Sequence, residues 1–149
     1  MLRTPSQTVG PFYTIGLCRR SENELVPRGD PGAMHLIGQL LDGEGMPVGD
    51  GVIEVWDPPA SRWGRCGTDA DGRFSFTVAK ARHLEVYVFA RGLLQHQLTR
   101  VYFPDAGDDA VLSSLDAAER ETLVAEREDG ALRFDIRLQG DRETVFFAH

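Results

Sequence analysis

Gly45-Met46-Pro47-Val48, then Val52-Ile53-Glu54-Val55-Trp56, then Thr68-Asp69-Ala70-Asp71-Gly72-Arg73-Phe74 form the stretch whose reading decides the fold. Short apolar segments separated by Gly and Asp read as strand, turn, strand. Glycine tolerates positive φ and aspartate satisfies nearby backbone donors, so Asp42-Gly43-Glu44-Gly45, Gly49-Asp50-Gly51 and Asp69-Ala70-Asp71-Gly72 are predicted turns. Working outward, the same pattern predicts strands over His35–Leu41, Val52–Trp56, Arg73–Val78, His83–Arg91 and Leu98–Phe103. Tight connections of this kind imply antiparallel neighbours.

Towards the C-terminus, Leu123–Arg127 and Leu132–Leu138 flank Glu128-Asp129-Gly130-Ala131, and Asp-Gly between alternating segments signals a hairpin. Val145–Phe147 can add a last short strand. Ser113–Arg120 reads as one short helix, with a serine cap and acids in its early turns. Residues 4–17 mix Pro, Gly, Thr and aromatics without a period and are expected to form an extended arm lying on something else. Residues 18–33 hold Pro27, Gly29, Pro31 and Gly32 and predict a connecting loop with little to pack. The expected architecture is all-β: an antiparallel β-sandwich with an N-terminal arm and one short helix, a single domain over 1–149 divided into arm and loop (1–33) and sandwich (34–149).

At 149 residues one domain can bury about 70% of its unfolded surface. With 42% hydrophobic and 26% charged residues the chain has the make-up of a globular protein rather than a disordered one. Its net charge of −7 argues against nucleic acid, whose affinity rests on clustered Lys and Arg. Cys18 and Cys66 lack metal-pair spacing and are too few for a disulfide framework, which predicts a reducing cytoplasm. No basic segment followed by an apolar stretch opens the chain, and the longest apolar run is Val86–Ala90, so neither export nor a membrane span is expected.

Three further stretches carry a resemblance. They are Thr4-Pro5-Ser6-Gln7-Thr8-Val9-Gly10-Pro11-Phe12-Tyr13, Phe89-Ala90-Arg91-Gly92, and Arg133-Phe134-Asp135-Ile136-Arg137-Leu138-Gln139-Gly140 followed by Glu143-Thr144-Val145-Phe146-Phe147. Together they resemble the alpha subunits of protocatechuate 3,4-dioxygenases, within the intradiol ring-cleavage family. The 45–74 stretch also occurs in transthyretin-like sandwiches and names a fold, not a reaction. The resemblance implies insertion of O2 between the two hydroxyl-bearing carbons of protocatechuate, a catechol carboxylate, giving 3-carboxy-cis,cis-muconate. It implies a hetero-oligomer in which a related beta subunit holds non-haem Fe(III) through two tyrosines and two histidines, and an isolated alpha chain that is inactive.

The resemblance also implies site residues. Thr8, Gly10 and Pro11 match the segment that lines the shared substrate cavity. Arg91 matches an arginine facing that cavity, where a guanidinium suits a carboxylate or developing negative charge in a supporting catalytic role. Phe12 and Tyr13 are expected at the subunit boundary. No metal ligand is expected in this chain: the place of a His-x-His pair reads His83-Leu84-Glu85, and the segment after Trp56 reads Asp57-Pro58-Pro59-Ala60-Ser61-Arg62-Trp63, without a phenol. His83 then reads as a satisfied core or interface histidine and Glu85 as an ion-paired group. Two alternatives stay open: a site of His83, Glu85 and either His35 or His96, and a non-enzymatic transthyretin-like binding module. Arg100, Arg133 and Arg137 are expected in ion pairs, Trp56 in the core, and Asp105, Asp108 and Asp109 in a solvated loop. The loop before Met34 and the segment after Trp56 are shorter than the usual alpha-subunit pattern.

Overall fold

The structure, a computed structural model, describes residues 3–147. Its first long strand, β1 (Ala33–Leu41), alternates so that Leu36 and Leu40 point inward. It pairs antiparallel with β4 (Arg73–Ala79), from Ala33↔Ala79 to Gln39↔Arg73, and this turns Phe74, Phe76 and Val78 to the same side. The second sheet runs β3 (Arg62–Gly67), β2 (Val52–Asp57), β5 (His83–Phe89), β6 (Gln97–Tyr102), antiparallel throughout. Ile53, Val55, Leu84, Val86, Val88 and Val101 face the first sheet across a shared apolar core. This is the two-layer sandwich that strand alternation predicts.

The predicted turns hold. In Asp69–Gly72 the Asp69 Oδ1 accepts from the backbone N–H of Asp71 and Arg73, while Gly72 takes φ +72° against the Leu40 carbonyl. Asp129 (φ 47°) and Gly130 (φ 83°) connect β7 (Glu126–Glu128) to β8 (Ala131–Arg133). Positive φ at both central residues is the hairpin geometry that follows the right-handed twist of strands.

Several features differ from the sequence expectations. The first sheet is mixed rather than antiparallel: β8 and β9 (Ile136–Arg137) both pair parallel with β1, giving the order β4-β1-β8-β7 with β9 also on β1. Consecutive turns announce antiparallel neighbours but are silent about a late strand returning beside an early one. The predicted 132–138 strand is interrupted at Phe134-Asp135, where Asp135 Oδ1 accepts the Gln39 N–H in place of a ladder bond. The predicted Leu123–Arg127 and Val145–Phe147 strands shrink to β7 and to single bridges, Tyr102↔Val124 and Leu98↔Phe147.

Strand β3 was not foreseen. Its sequence, Arg-Trp-Gly-Arg-Cys-Gly, shows no alternation because it is an edge strand, and Gly64 is required where the loop packs: a Cβ there would lie 2.8 Å from the Glu22 carbonyl oxygen. Trp56 correspondingly sits half-buried on the outer face opposite Trp63, not in the core.

Three short helices are found among the described residues, not one. Tyr13–Leu17 (α1) coils part of the expected arm. The predicted 113–120 helix divides into α2 (Ala110–Ser114) and α3 (Ala117–Glu121), broken where Leu115 turns extended. Their caps are Asp109 and Asp116, the latter in a reciprocal capping box with Glu119, so the acids matter more than the serines. Asp105 and Asp108 pair with Arg127 and Arg120. The 18–33 loop packs as well, with Leu25 and Val26 buried and their N–H groups donating to Thr77 O.

Cys18 and Cys66 are free thiols. No helix among the described residues is long and apolar enough to cross a membrane.

Candidate functional site

Strand β5 ends at Phe89, and the chain turns at Arg91-Gly92, where Gly92 adopts φ +89°. The N-terminal arm lies across this turn. Gly92 N–H donates to Thr8 Oγ1 at 3.0 Å, and the Tyr13 hydroxyl donates to the Phe89 carbonyl at 2.7 Å. Burial of the phenol, with Asp50 adding to it, pushes the Tyr13 pKa up to about 12, so it remains a protonated donor across the physiological range. Replacing Tyr13 by Phe removes the hydrogen bond that ties the arm to the end of β5. We expect a loss of about 1 kcal/mol in arm docking, read as faster hydrogen exchange over 8–17 with the strand amides unchanged; unaltered exchange in the arm would contradict the anchoring role.

Arg91 is held from the other side. Its Nε donates to Asp50 Oδ2, carried by the Gly49-Asp50-Gly51 turn that precedes β2. The Arg91 side chain is still 57% exposed, leaving the far edge of the guanidinium open. Next along the chain, Gln7 and Val9 of the arm with Phe89, Ala90 and residues 93–96 line a cleft of about 470 Å³, to which neither Arg91 nor Thr8 contributes a wall. Its walls are mainly apolar, from Val9, Phe89, Leu93 and Leu94, and end at His96, which packs on Phe89 and Tyr87 at ring-centroid distances of 5.4 and 5.6 Å. Leu94 of the cleft wall is 61% exposed, and Phe12 (73%) and Ile15 (78%) of the arm are further large apolar groups facing out.

Of the four residues singled out from sequence, the structure brings Thr8 and Arg91 to one turn. Gly10 and Pro11 follow on the arm. A Cβ at Gly10 would meet nothing within 4 Å, so nothing in the described chain approaches it closely enough to require glycine. Sequence reasoning missed Asp50 as the partner of Arg91 and Tyr13 as the anchor. Asp50 lay in a recognised turn, but nothing local links positions 41 residues apart.

The other candidate cluster lies at the opposite end of β5. His83, Glu85 and Tyr87 project from the outer face of the sheet, as alternate residues must. Glu85 is engaged: it faces Arg100 at 3.8 Å and accepts the Tyr87 hydroxyl at 3.2 Å, which matches the ion-paired reading. His83 differs from the satisfied histidine expected there. Its Nδ1 is buried without a hydrogen-bond partner, 4.0 Å from Asp109 Oδ2, and its ring packs on Tyr102 with centroids 5.1 Å apart. Burial, then the nearby Arg100, holds this imidazole below the ordinary histidine range, and Asp109 only partly opposes them.

These residues do not fit a ferric centre. The Tyr102 hydroxyl is committed to Asp109, whose Oδ1 also caps α2, and Glu85 is committed to its own partners. His35 lies on the first sheet opposite Thr77, and His96 packs beside Tyr87 and Phe89, four and six residues along the strand from His83. Among the described residues no three His, Cys, Asp or Glu side chains come together to hold a metal ion. Arg100 and Arg133 are ion-paired as expected, Arg133 with both Glu128 and Asp135 at 3.1 Å.

No family model matches the chain. Among curated proteins it is 35% identical, in an alignment of 190 positions, to the protocatechuate 3,4-dioxygenase alpha chain of Burkholderia cepacia, covering 97% of this chain and 96% of that one. The alpha chain of Pseudomonas putida is likewise 35% identical over 191 positions, covering 97% and 95%. The chain belongs to the protocatechuate 3,4-dioxygenase alpha-chain family. The protocatechuate 3,4-dioxygenase beta chain of Burkholderia cepacia is a more distant relative, 26% identical over 163 positions, covering 77% of this chain and 68% of that one. In fold, the chain matches the dioxygenase domain of a dioxygenase carbohydrate-binding fusion from Streptomyces sp. SirexAA-E, with a TM-score of 0.59, 20% identity, and 92% and 98% coverage. Alignments longer than the 149 residues of this chain mean that alpha-chain relatives carry insertions absent here.

Proposed function

We propose that this chain is the alpha subunit of a cytoplasmic hetero-oligomeric protocatechuate 3,4-dioxygenase, acting beside a beta subunit that holds Fe(III). The observation that carries this reading is alpha-chain similarity running through 97% of the chain. The net reaction joins protocatechuate and O2 into 3-carboxy-cis,cis-muconate, breaking the ring bond between the two hydroxyl-bearing carbons. The iron of the partner supplies the binding of the catechol and its activation towards O2.

This chain supplies walls and charge. The arm residues Thr8, Gly10 and Pro11 and the Arg91 turn form the outer part of the substrate cavity at the boundary with the beta subunit. Thr8 is fixed by Gly92, so arm and turn move as one unit. Pro11 removes a backbone donor and sets φ, keeping the arm ordered before the partner arrives. The open space beside Gly10 is available to the partner's surface, where a small residue permits close approach. Phe12, Ile15 and Leu94 supply apolar area to that boundary. Arg91, oriented by Asp50 through Nε, presents its remaining N–H donors to the substrate carboxylate or to negative charge that develops during cleavage.

The test is oxygen uptake with protocatechuate, together with detection of the carboxymuconate. The chain co-purified with its beta subunit is expected to turn over and the chain alone to be silent. Turnover by the chain alone, or a well-formed complex that consumes no oxygen with any catechol carboxylate, would contradict the assignment.

A further inference from the structure

At the end of β5 remote from the arm, the Pro58–Ser61 turn and the β4–β5 connection face each other across a cleft of about 320 Å³. That is near the lower end of the about 300–1,000 Å³ usual for small-molecule sites. Arg62, Lys80 and Arg82 line it, with His83 alongside. Among the described residues none of the three cations has a carboxylate partner, whereas Arg65 and Arg100 on the same sheet are neutralised by Glu54 and Glu85. Three uncompensated cations around one concavity run against the −7 balance of the chain. Concave surfaces focus such a field on small counter-ions.

One acid, Asp57, also lines the cleft and is buried at the end of β2, directly across the hairpin from Arg62. A bare anion would be repelled by it. An anion that also carries an acid proton or hydroxyl would donate to it, so the lining selects for both features. We propose that this cleft binds a small polyvalent oxyanion bearing its own hydrogen-bond donor, a hydrogen phosphate or a hydroxylated polycarboxylate. Arg62, Lys80 and Arg82 supply charge-assisted hydrogen bonds to its oxygens, and Asp57 accepts from its hydroxyl.

The test is titration calorimetry of the full-length chain in its native assembly with inorganic phosphate and, separately, with citrate, at constant ionic strength. One saturable site per chain is expected. Lys80→Gln combined with Arg82→Gln should weaken it at least about tenfold, while Arg20→Gln, an exposed charge outside the cleft, should leave it unchanged. If the double variant fails to fold, Arg62→Gln serves instead, since its side chain is exposed at a strand edge. Saturation by phosphate alone, or by citrate alone, identifies which oxyanion the lining fits. No saturable binding of either, an unchanged affinity in the cleft variants, or an equal loss in Arg20→Gln would overturn the assignment.

Discussion

Gly38→Ala should destabilise this protein by about 3 kcal/mol or more. A Cβ at Gly38 would fall far inside contact distance of the Phe134 carbonyl oxygen and 2.5 Å from Phe74 Cζ. The first obstacle is backbone and cannot swing away. Relief requires β1 and the 134–137 segment to part, losing the bonds from Phe134 N to Ile37 O (2.8 Å) and Leu138 N to Leu41 O (2.9 Å) that join the parallel strands. For a domain of this size the melting midpoint should fall by about 6–12 °C. Gly10→Ala provides the contrast: with nothing within 4 Å, it should shift stability by less than about 0.5 kcal/mol. A Gly38→Ala protein as stable as Gly10→Ala would mean that β9 does not pair where described.

Arg91→Ala should do the reverse, costing little stability and much turnover. Its bond to Asp50 is an exposed ion pair, worth at most about 1 kcal/mol once solvent screening is counted. A charge-assisted hydrogen bond to a substrate carboxylate is worth about 1.5–3 kcal/mol, so turnover efficiency in the assembled enzyme should drop about 10- to 100-fold. Lysine at the same position should recover part of the loss, because an ammonium keeps the charge but not the planar fork that can hold Asp50 and a carboxylate together. Steady-state kinetics of the complex, paired with thermal melts, separate the two effects. Unchanged kinetics in a complete complex would remove Arg91 from the cavity.

What the sequence made legible follows from the range over which each signal acts. Alternation and turn chemistry are local, so β1, β2, β4, β5, β6 and the Asp129-Gly130 hairpin could be read from neighbouring residues. Parallel pairing of β1 with β8 and β9 could not, because it depends on Gly38 meeting Phe134, and no local pattern links two positions so far apart. The edge strand β3 escaped because Gly64 and Gly67 break alternation for reasons that lie in the packed loop, not in the strand. At the site, the arm and the Arg91 turn were visible as motifs. That Tyr13 ties the arm to Phe89, and that Asp50 orients Arg91, were not, since both are contacts across the fold. The sequence reading of His83 as a satisfied histidine missed its buried, unpartnered Nδ1, which appears only in three dimensions.

The central claim is that this chain contributes cavity walls and a cation to an iron centre carried by another subunit. The most direct measurement is metal analysis of the chain purified alone and of its complex with the beta subunit, with the His83→Asn variant of this chain in both. The account predicts iron in proportion to the beta subunit in the complex, none bound stoichiometrically by the isolated chain, and no change on substituting His83. Stoichiometric iron in the isolated chain, lost with His83, would contradict it.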